Sequence, residues 1–319
     1  TVNANYNDSI KSDDDLKITG GNITVNAVDD GIIGRDSVTI KNGDIAVNAG
    51  GDGIKASNDE DAAEGYISIE GGTINITAGM DGIQAATNVS ISSGDITISS
   101  GGGNAYSNCR IPCQYTFSSK AIKAGGDITV TGGTLNLDSF DDSINSNSDL
   151  IISGGEIVAA SRNDGIHADS SIEINGGNLS IMTSYEGIEG AVITINDGNI
   201  HTSSSDDGIN CRTYRDRPGD KHLYINGGYI AIDAEGDGLD VNGPIDMSGG
   251  VVIINGPADY ERALDYGPQF EITGGILIAT EGERTGPPCS PSISSPQLSA
   301  ILTYESSQPA GTMIHLESE

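Results

Sequence analysis

A motif of about 22 residues repeats along most of the chain, and a period this short strongly limits the folds available. Each copy holds an alternating apolar strand, a Gly-Gly pair, a second alternating strand and an Asp-Gly-Ile triplet. Residues 20–32 (GGNITVNAVDDGI) and 176–188 (GGNLSIMTSYEGI) are two examples. Because the repeat contains strands and no helix, the sequence predicts an all-β fold, a right-handed parallel β-helix of about ten to eleven coils.

The repeat also sets the predicted boundaries of a single domain. Residues 1–285 are expected to form the β-helix, and residues 286–319 a crossover and β-hairpin that cap its open C-terminal end. Insertions interrupt the pattern in three places, at residues 57–66, 100–119 and 213–222.

Alternation within each triplet strand separates inward from outward side chains. The triplet Ile or Leu is predicted to point inward, as is a small residue two positions later. Cys211 occupies that small position, so a buried thiol is favoured there over a disulfide, whereas Cys109 and Cys113 are close enough for a local disulfide. The residue between the two inward positions is predicted to point outward and to stack at about 4.8 Å per coil. This outward ladder contains Ile33, Lys55, Gln84, Lys123, Asn145, His167, Glu189, Asn210, Asp240 and Asp265.

The formal net charge of −31 disfavours several classes of partner. Nucleic acids and anionic membrane surfaces require basic patches, and the 15 Lys and Arg residues are scattered. No apolar run approaches the roughly 18 residues of a membrane span, so membrane insertion is not expected. The charged, Asn-rich start is unlike a signal peptide, which favours a mature or trimmed segment.

Acidic residues beside the triplets carry the predicted chemistry. A single Asp before Gly commonly caps its own tight turn while the Gly takes a positive φ. Where neighbouring outward positions are acidic too, carboxylates about 5 Å apart require a compensating cation. These coils offer too few basic residues to supply that charge, and oxygen donors suit Ca²⁺. The predicted calcium ligands are Asp29 and Asp30; Asp141, Asp142, Asn145 and Asp164; and, as the strongest set, Glu186, Glu189, Asp206, Asp207, Asn210, Asp237 and Asp240. For the first pair, a solvated acidic face is the alternative.

The Gly-Gly and Asp-Asp-Gly-Ile pattern over residues 16–281 resembles the clostridial cell-surface family of carbohydrate-binding β-helix proteins, and the tail TYESSQPAGT is similar too. The family resembles polysaccharide lyase family 9 pectate lyases in fold and calcium site, but binds cellulose and acidic sugars without cleavage. The resemblance implies a monomeric, extracellular or cell-surface protein that uses Ca²⁺. The lyases carry Asp-Asp-Gly-x-Asp in one coil and use a Lys base; here residues 206–210 end in Asn210, and Gly236 precedes Asp237.

Three functions therefore remain open. The leading hypothesis is calcium-dependent binding of plant cell-wall polysaccharide, either polygalacturonate or cellulose, without cleavage. A pectate lyase is the enzyme alternative, with Lys120 or Lys123 as the base and Lys55 next, although each lysine is also placed for a salt bridge to an acidic neighbour. A purely structural surface rod is the third.

Four tyrosines lie beside the acidic coils or on a nearby insertion, where sugar rings could stack on them. Ordinary surface packing is the alternative for each. These candidates for carbohydrate binding are Tyr185, Tyr214, Tyr260 and Tyr266.

Overall fold

The computed structural model describes residues 1–104, 118–213, 219–258, 261–282, 290–304, 306 and 308. Over these ranges the chain forms 32 β-strands and no helix, and every strand pair is parallel. Consecutive strands along the chain belong to different faces, and each pairs with its equivalent in the next coil. The predicted all-β parallel β-helix is thus confirmed.

The strands that follow the Gly pairs are mostly five or six residues long, and with the first strand of the chain they stack into one 12-stranded sheet. We call this sheet the long-strand face. Its strands are β1 (Val2–Ala4), β4 (Asn22–Ala27), β7 (Asp44–Ala49), β10 (Thr73–Ala78), β13 (Asp95–Ser100), β16 (Thr134–Ser139), β19 (Glu156–Ala160), β21 (Asn178–Thr183), β23 (Asn199–Ser204), β26 (Tyr229–Ala234), β29 (Val251–Asn255) and β32 (Ile276–Thr280).

The Asp-Gly-Ile strands stack into a second ladder, the triplet face. Its strands are β2 (Ile10–Ser12), β5 (Ile32–Gly34), β8 (Ile54–Ala56), β11 (Ile83–Ala85), β14 (Ile122–Ala124), β17 (Ile144–Ser146), the starts of β20 (Ile166–Ile174) and β22 (Ile188–Ile195), β24 (Ile209–Cys211), β27 (Leu239–Val241) and β30 (Leu264–Tyr266).

The strands that lead into each Gly-Gly pair form the third ladder, the lead-in face. It contains β3 (Asp15–Ile18), β6 (Ser37–Ile40), β9 (Tyr66–Ile69), β12 (Val89–Ile91), β15 (Ile128–Val130), β18 (Leu150–Ile152), the ends of β20 and β22, β25 (His222–Ile225), β28 (Ile245–Met247) and β31 (Phe270–Ile272). Because β20 and β22 run without a break from the triplet face into this one, the two ladders are continuous.

The interior is a stack of apolar side chains, as the alternation predicted. The triplet Ile residues from Ile32 to Ile209 are fully buried, and Leu239 and Leu264 continue the row. Cys211 lies in the interior as a free thiol, in agreement with its predicted small-residue position. The suggested disulfide between Cys109 and Cys113 falls outside the described residues.

Glycine serves two different purposes in the coil. The second Gly of the Gly-Gly pair has a positive φ, for example 95° at Gly177. None of the described triplet glycines does, so the prediction that they adopt φ > 0 is wrong. A Cβ at Gly31 would lie 2.5 Å from the carbonyl oxygen of Gly53 in the next coil. The triplet glycines instead allow the backbones of adjacent coils to approach closely.

The C-terminal segment covers the edge of the last lead-in strand. The amide of Ser292 donates to the carbonyl of Phe270 at 2.9 Å, and the Ser295 hydroxyl accepts from the amide of Ile272 at 2.9 Å. Residues 290–304 contain no strand, and most of the predicted hairpin lies outside the described residues. Nor does any described segment form a helix with the length and apolar character needed to cross a membrane.

Candidate metal centre

In each coil, one residue directly precedes the triplet Gly, or the Ala or Ser that replaces this Gly. That preceding residue lies at the corner between the long-strand and triplet faces. We call this series the acid row, although two members are basic. It contains Asp30, Asp52, Asp81, Lys120, Asp142, Asp164, Glu186, Asp207, Asp237 and Arg262. In most coils the carboxylate accepts a hydrogen bond from a backbone amide one coil further on, for example Asp52 N to Asp30 Oδ1 at 2.8 Å. The row therefore joins adjacent coils, whereas the sequence predicted caps within single turns.

The outward ladder has the predicted register, with Lys123 beside Asn145, His167 beside Glu189 and Asn210 beside Asp240. Its exposure was predicted wrongly. Five members are buried because acid-row side chains and their partners pack against them or cover them. The buried members are Ile33, Asn145, His167, Glu189 and Asn210.

Three lysines, Lys55, Lys120 and Lys123, form ion pairs with acids in the first half of the triplet face; Lys120 is described with the middle cluster below. Lys55 Nζ lies 3.0 Å from Asp30 Oδ2 and 2.7 Å from Asp52 Oδ2. Lys123 Nζ lies 3.3 Å from Asp81 Oδ2. These ion pairs are the salt-bridge alternative that the sequence left open for each lysine.

The middle cluster is organised around Lys120, which replaces the acid in its own coil. Its Nζ lies 2.7 Å from Asp141 Oδ2 and 2.6 Å from Asp142 Oδ2. Burial alone would lower the pKa of Lys120, but the charges of Asp142 and Asp141 raise it above its usual value. Asp142 also accepts from Asn145 Nδ2 at 3.0 Å and from Asn163 Nδ2 at 2.7 Å. The prediction that these acids lack a basic partner is wrong.

Another convergence of acids begins two coils after Asp142, at Glu186. Glu186, Asp206 and Asp207 each place a carboxylate oxygen within 4.8 Å of the others, and we call these three residues with Asn210 the Glu186 cluster. Asn210 Nδ2 donates to Glu186 Oε2 at 2.8 Å, but the buried Asn210 Oδ1 has no hydrogen-bond partner. Arg212 Nη1 approaches Glu186 Oε1 only to 3.8 Å. A buried amide oxygen without a donor is costly unless a cation or water satisfies it.

Ionisation of the Glu186 cluster is opposed by its surroundings. Burial, followed by the adjoining carboxylates of Glu189 and Asp164, raises the pKa of Glu186 to about 11. Burial and the charge of Asp206 raise the pKa of Asp207 to about 8. A bound divalent cation would stabilise the ionised forms. The donors are all oxygens, as Ca²⁺ requires, so these residues fit the predicted ion.

Other predicted ligands adjoin this cluster without converging on it. Asp237 accepts hydrogen bonding from the backbone amide of Arg262, and burial raises its pKa to about 6. Asp240 is the ladder neighbour of Asn210 and Asp265, and burial followed by the charge of Asp265 raises its pKa. These two acids strengthen the negative field around Asp207.

The remaining predicted ligands fall into two other groups. Asp29 and Asp30 lie with Asp8, with oxygens within 4.8 Å of one another, although Asp30 is also paired with Lys55. Asp164 and Glu189 lie instead on either side of a histidine, His167, in a buried group of three.

One of the four candidate tyrosines lies at the Glu186 cluster. A hydrogen bond with Asp206, followed by burial, raises the pKa of Tyr185. Tyr266 packs edge-on against Phe270, at 5.7 Å between ring centroids, and its hydroxyl donates to the carbonyl of Ser290 at 2.7 Å. Tyr214 and Tyr260 lie outside the described residues.

Sequence reasoning missed His167 and Arg212 as contributors to this face, and it named Lys120 without placing it in the acid row. Alignment of Lys120-Ala121-Ile122 with Asp-Gly-Ile would have placed Lys120 in the acid row. His167 was visible in the outward ladder between acidic neighbours. Arg212 follows the triplet strand of its coil by one residue, and nothing in the repeat indicates that it turns back to Glu189, 3.1 Å away.

Comparison with known proteins identifies the family. The profile of carbohydrate-binding domain-containing proteins matches residues 1–165 and 156–284, so the chain belongs to that family. No curated protein sequence matches it. Among solved structures, the chain is similar to that of the polysaccharide lyase-like protein from C. thermocellum, determined as a gadolinium derivative. The two are 19% identical, with a TM-score of 0.39, over 86% of this chain and 89% of that chain. The predicted resemblance to a carbohydrate-binding family is confirmed.

Proposed function

We propose that this protein binds acidic plant cell-wall polysaccharide through Ca²⁺ and does not cleave it. The observation that carries the proposal is the Glu186 cluster, in which three carboxylates converge on a carbohydrate-binding scaffold beside Asn210, whose buried amide oxygen has no hydrogen-bond partner. Polygalacturonate is the proposed ligand and cellulose the alternative. An extracellular or cell-surface location and a monomeric state complete the proposal.

Charge supports a bridging role for the cation. A chain with a net charge of −31 and a polyanionic sugar repel each other at close range. A Ca²⁺ ion held by Glu186, Asp206, Asp207 and Asn210 would supply further coordination positions for a sugar carboxylate, since Ca²⁺ takes six to eight oxygen ligands. Tyr185 lies beside these acids and offers a ring to the sugar.

The positions of the lysines support binding without cleavage. A lyase needs a base beside the metal-bound uronate, with a pKa near the working pH. Lys120 is buried between two aspartates that raise its pKa, and Lys123 is paired with Asp81. Three coils separate Lys120 from Glu186 along the stack, about 14 Å at the usual strand spacing. One sugar unit does not span that distance.

Retention on a polygalacturonate matrix tests the proposal. The wild-type protein should be retained in Ca²⁺ and released by EDTA. Asp207→Asn should weaken retention at least about tenfold, because it removes a charged ligand. Asp95→Asn makes the same charge change on the long-strand face and should bind normally. Full retention in excess EDTA would overturn calcium bridging. Stabilisation by Ca²⁺ without any retention would favour the structural rod.

Incubation with polygalacturonate and Ca²⁺ at alkaline pH tests the absence of cleavage. No ultraviolet absorbance from unsaturated product should appear. Absorbance that develops with the wild type and is lost in Lys120→Ala or Lys123→Ala would establish the lyase instead.

A further inference from the structure

His167 lies at the centre of a second group of potential ligands, one coil before the Glu186 cluster. Its Nδ1 atom is 3.3 Å from Asp164 Oδ2 and 3.3 Å from Glu189 Oε1. Asp164 precedes His167 by three residues at the corner of the same coil, and Glu189 is its ladder neighbour in the next coil. All three side chains are buried, and His167 is only 8% exposed.

The two ring nitrogens of His167 have different surroundings. Nε2 lies 3.0 Å from Asp169 Oδ1, which accepts a hydrogen bond from it. Nδ1 is buried and makes no hydrogen bond of acceptable geometry, although two carboxylate oxygens lie close to it. A carboxylate that holds the distal N–H of an imidazole fixes its tautomer and leaves the other nitrogen to bind a metal.

The distances fit a small four-coordinate ion. With metal–ligand bonds of about 2.0 to 2.1 Å, neighbouring ligand atoms in a tetrahedral zinc site are about 3.3 Å apart. Both separations from Nδ1 to the carboxylate oxygens have this value. Ca²⁺ takes oxygen ligands only, at longer distances, whereas an imidazole with carboxylates suits Zn²⁺ and similar first-row ions.

We propose that Asp164, His167 and Glu189 bind one Zn²⁺ ion, with Asp169 as the residue that positions the imidazole. The ion would balance the two carboxylates and connect two adjacent coils. Its fourth position would be held by water. This site shares no ligand with the Glu186 cluster, although Glu189 adjoins Glu186; the other oxygen of Glu189 faces Arg212 Nε at 3.1 Å. The competing state is a protonated His167 held only by ion pairs.

Calorimetric titration of the untagged, EDTA-treated protein with Zn²⁺ tests the site. One equivalent should bind to the wild type, and His167→Gln should weaken that binding at least about tenfold. His201→Gln is the matched control, since His201 lies 3.0 Å from a single carboxylate, Asp233, on the long-strand face. The Asp207→Asn variant should still bind Zn²⁺ but should no longer be stabilised by Ca²⁺. Its behaviour therefore distinguishes failure of the zinc site from failure of the proposed calcium-dependent function.

X-ray absorption at the zinc edge gives a readout on the wild-type protein alone. One imidazole in a shell of nitrogen and oxygen atoms is the expected signature. Zn²⁺ that binds no more tightly than Ca²⁺, binding that survives in folded His167→Gln, or a zinc shell without imidazole would each overturn the site. If His167→Gln does not fold, the X-ray absorption spectrum of the wild-type protein still shows whether an imidazole binds the zinc.

Discussion

The two halves of the triplet face place acids at the same backbone positions but balance their charge differently. In the coils from Asp30 to Asp142, each buried acid of the row has a lysine as its partner. In the coils from Glu186 to Asp240, the described residues contain no lysine in contact with the acids; Arg212 approaches Glu186 and Glu189, and His167 approaches Glu189. Beside Lys120 the pKa of Asp142 is lowered, whereas burial and the charge of Asp206 raise the pKa of Asp207 to about 8; burial also raises the pKa values of Asp81 and Asp141 in the first half.

The comparison shows that an acidic repeat does not by itself define a cation site. Asp142 and Asp207 both accept an amide hydrogen bond from the next coil, which is their structural contribution in either half. What differs is whether a neighbouring side chain supplies a positive charge. Among the described residues, the second half holds converging carboxylates without a lysine partner and a buried amide oxygen without a donor, and there we expect an ion to be bound.

The largest effect should come from the interior that both halves share. Ile166→Asp places a carboxylate where the native side chain is fully buried, which should cost more than about 4 kcal/mol. We expect no soluble, folded protein, as judged by circular dichroism of purified material. Ile54→Asp, in the other half, should fail equally. A folded Ile166→Asp protein would show that the inward assignment is wrong.

Lys120→Gln should make the first half resemble the second. The change leaves Asp141 and Asp142 without their buried partner and should cost about 3 kcal/mol in EDTA. Part of this loss should return in Ca²⁺, as measured by guanidinium unfolding. The control Lys41→Gln removes an exposed pair with Glu70 and should cost less than about 0.5 kcal/mol. Equal, calcium-independent stability of the two variants would contradict our account.

The metal-free protein should become less stable as the pH rises from about 5 to about 8. The carboxyls of Glu186 and Asp207 ionise near pH 4 in an unfolded chain, but the fold raises their pKa values to about 11 and about 8. The folded state therefore binds more protons in this range, and in EDTA its stability falls by up to about 1.4 kcal/mol per pH unit for each of the two groups that stays protonated. Asp142, with a lowered pKa, stays ionised throughout and contributes no slope.

Unfolding at both pH values, in EDTA and in Ca²⁺, checks this dependence. Calcium should reduce the slope, because it stabilises the ionised cluster. A slope of opposite sign in EDTA would mean that the acids of the second half are already compensated.

The smallest effect should come from Asp207→Asn, and its sign should depend on the metal. In EDTA the change relieves repulsion and should stabilise the protein by about 1 kcal/mol, while the amide oxygen can still accept from Asp237 N. In Ca²⁺ the melting temperature should fall instead, because a ligand is lost. Melting curves in both buffers, with Asp95→Asn alongside, measure the reversal; the same sign in both would remove Asp207 from the metal site.

Much of this molecule is already determined by its sequence. The 22-residue period fixes a stack of parallel coils, and alternation within three-residue strands fixes which side chains enter the core. The ladder order from Ile33 to Asp265 follows from the same register. These features are local and repeat in every coil, so one coil is enough to predict the next.

Only the tertiary structure decided which charges meet. The positions of the Lys120, His167 and Arg212 side chains depend on flexible side chains that reach across coils, and on corner acids that cover a row expected to face solvent. Such contacts are set by the packing of neighbouring coils, not by the period of the repeat. The repeat therefore determined where acids would lie, and the three-dimensional packing determined which of them remain uncompensated.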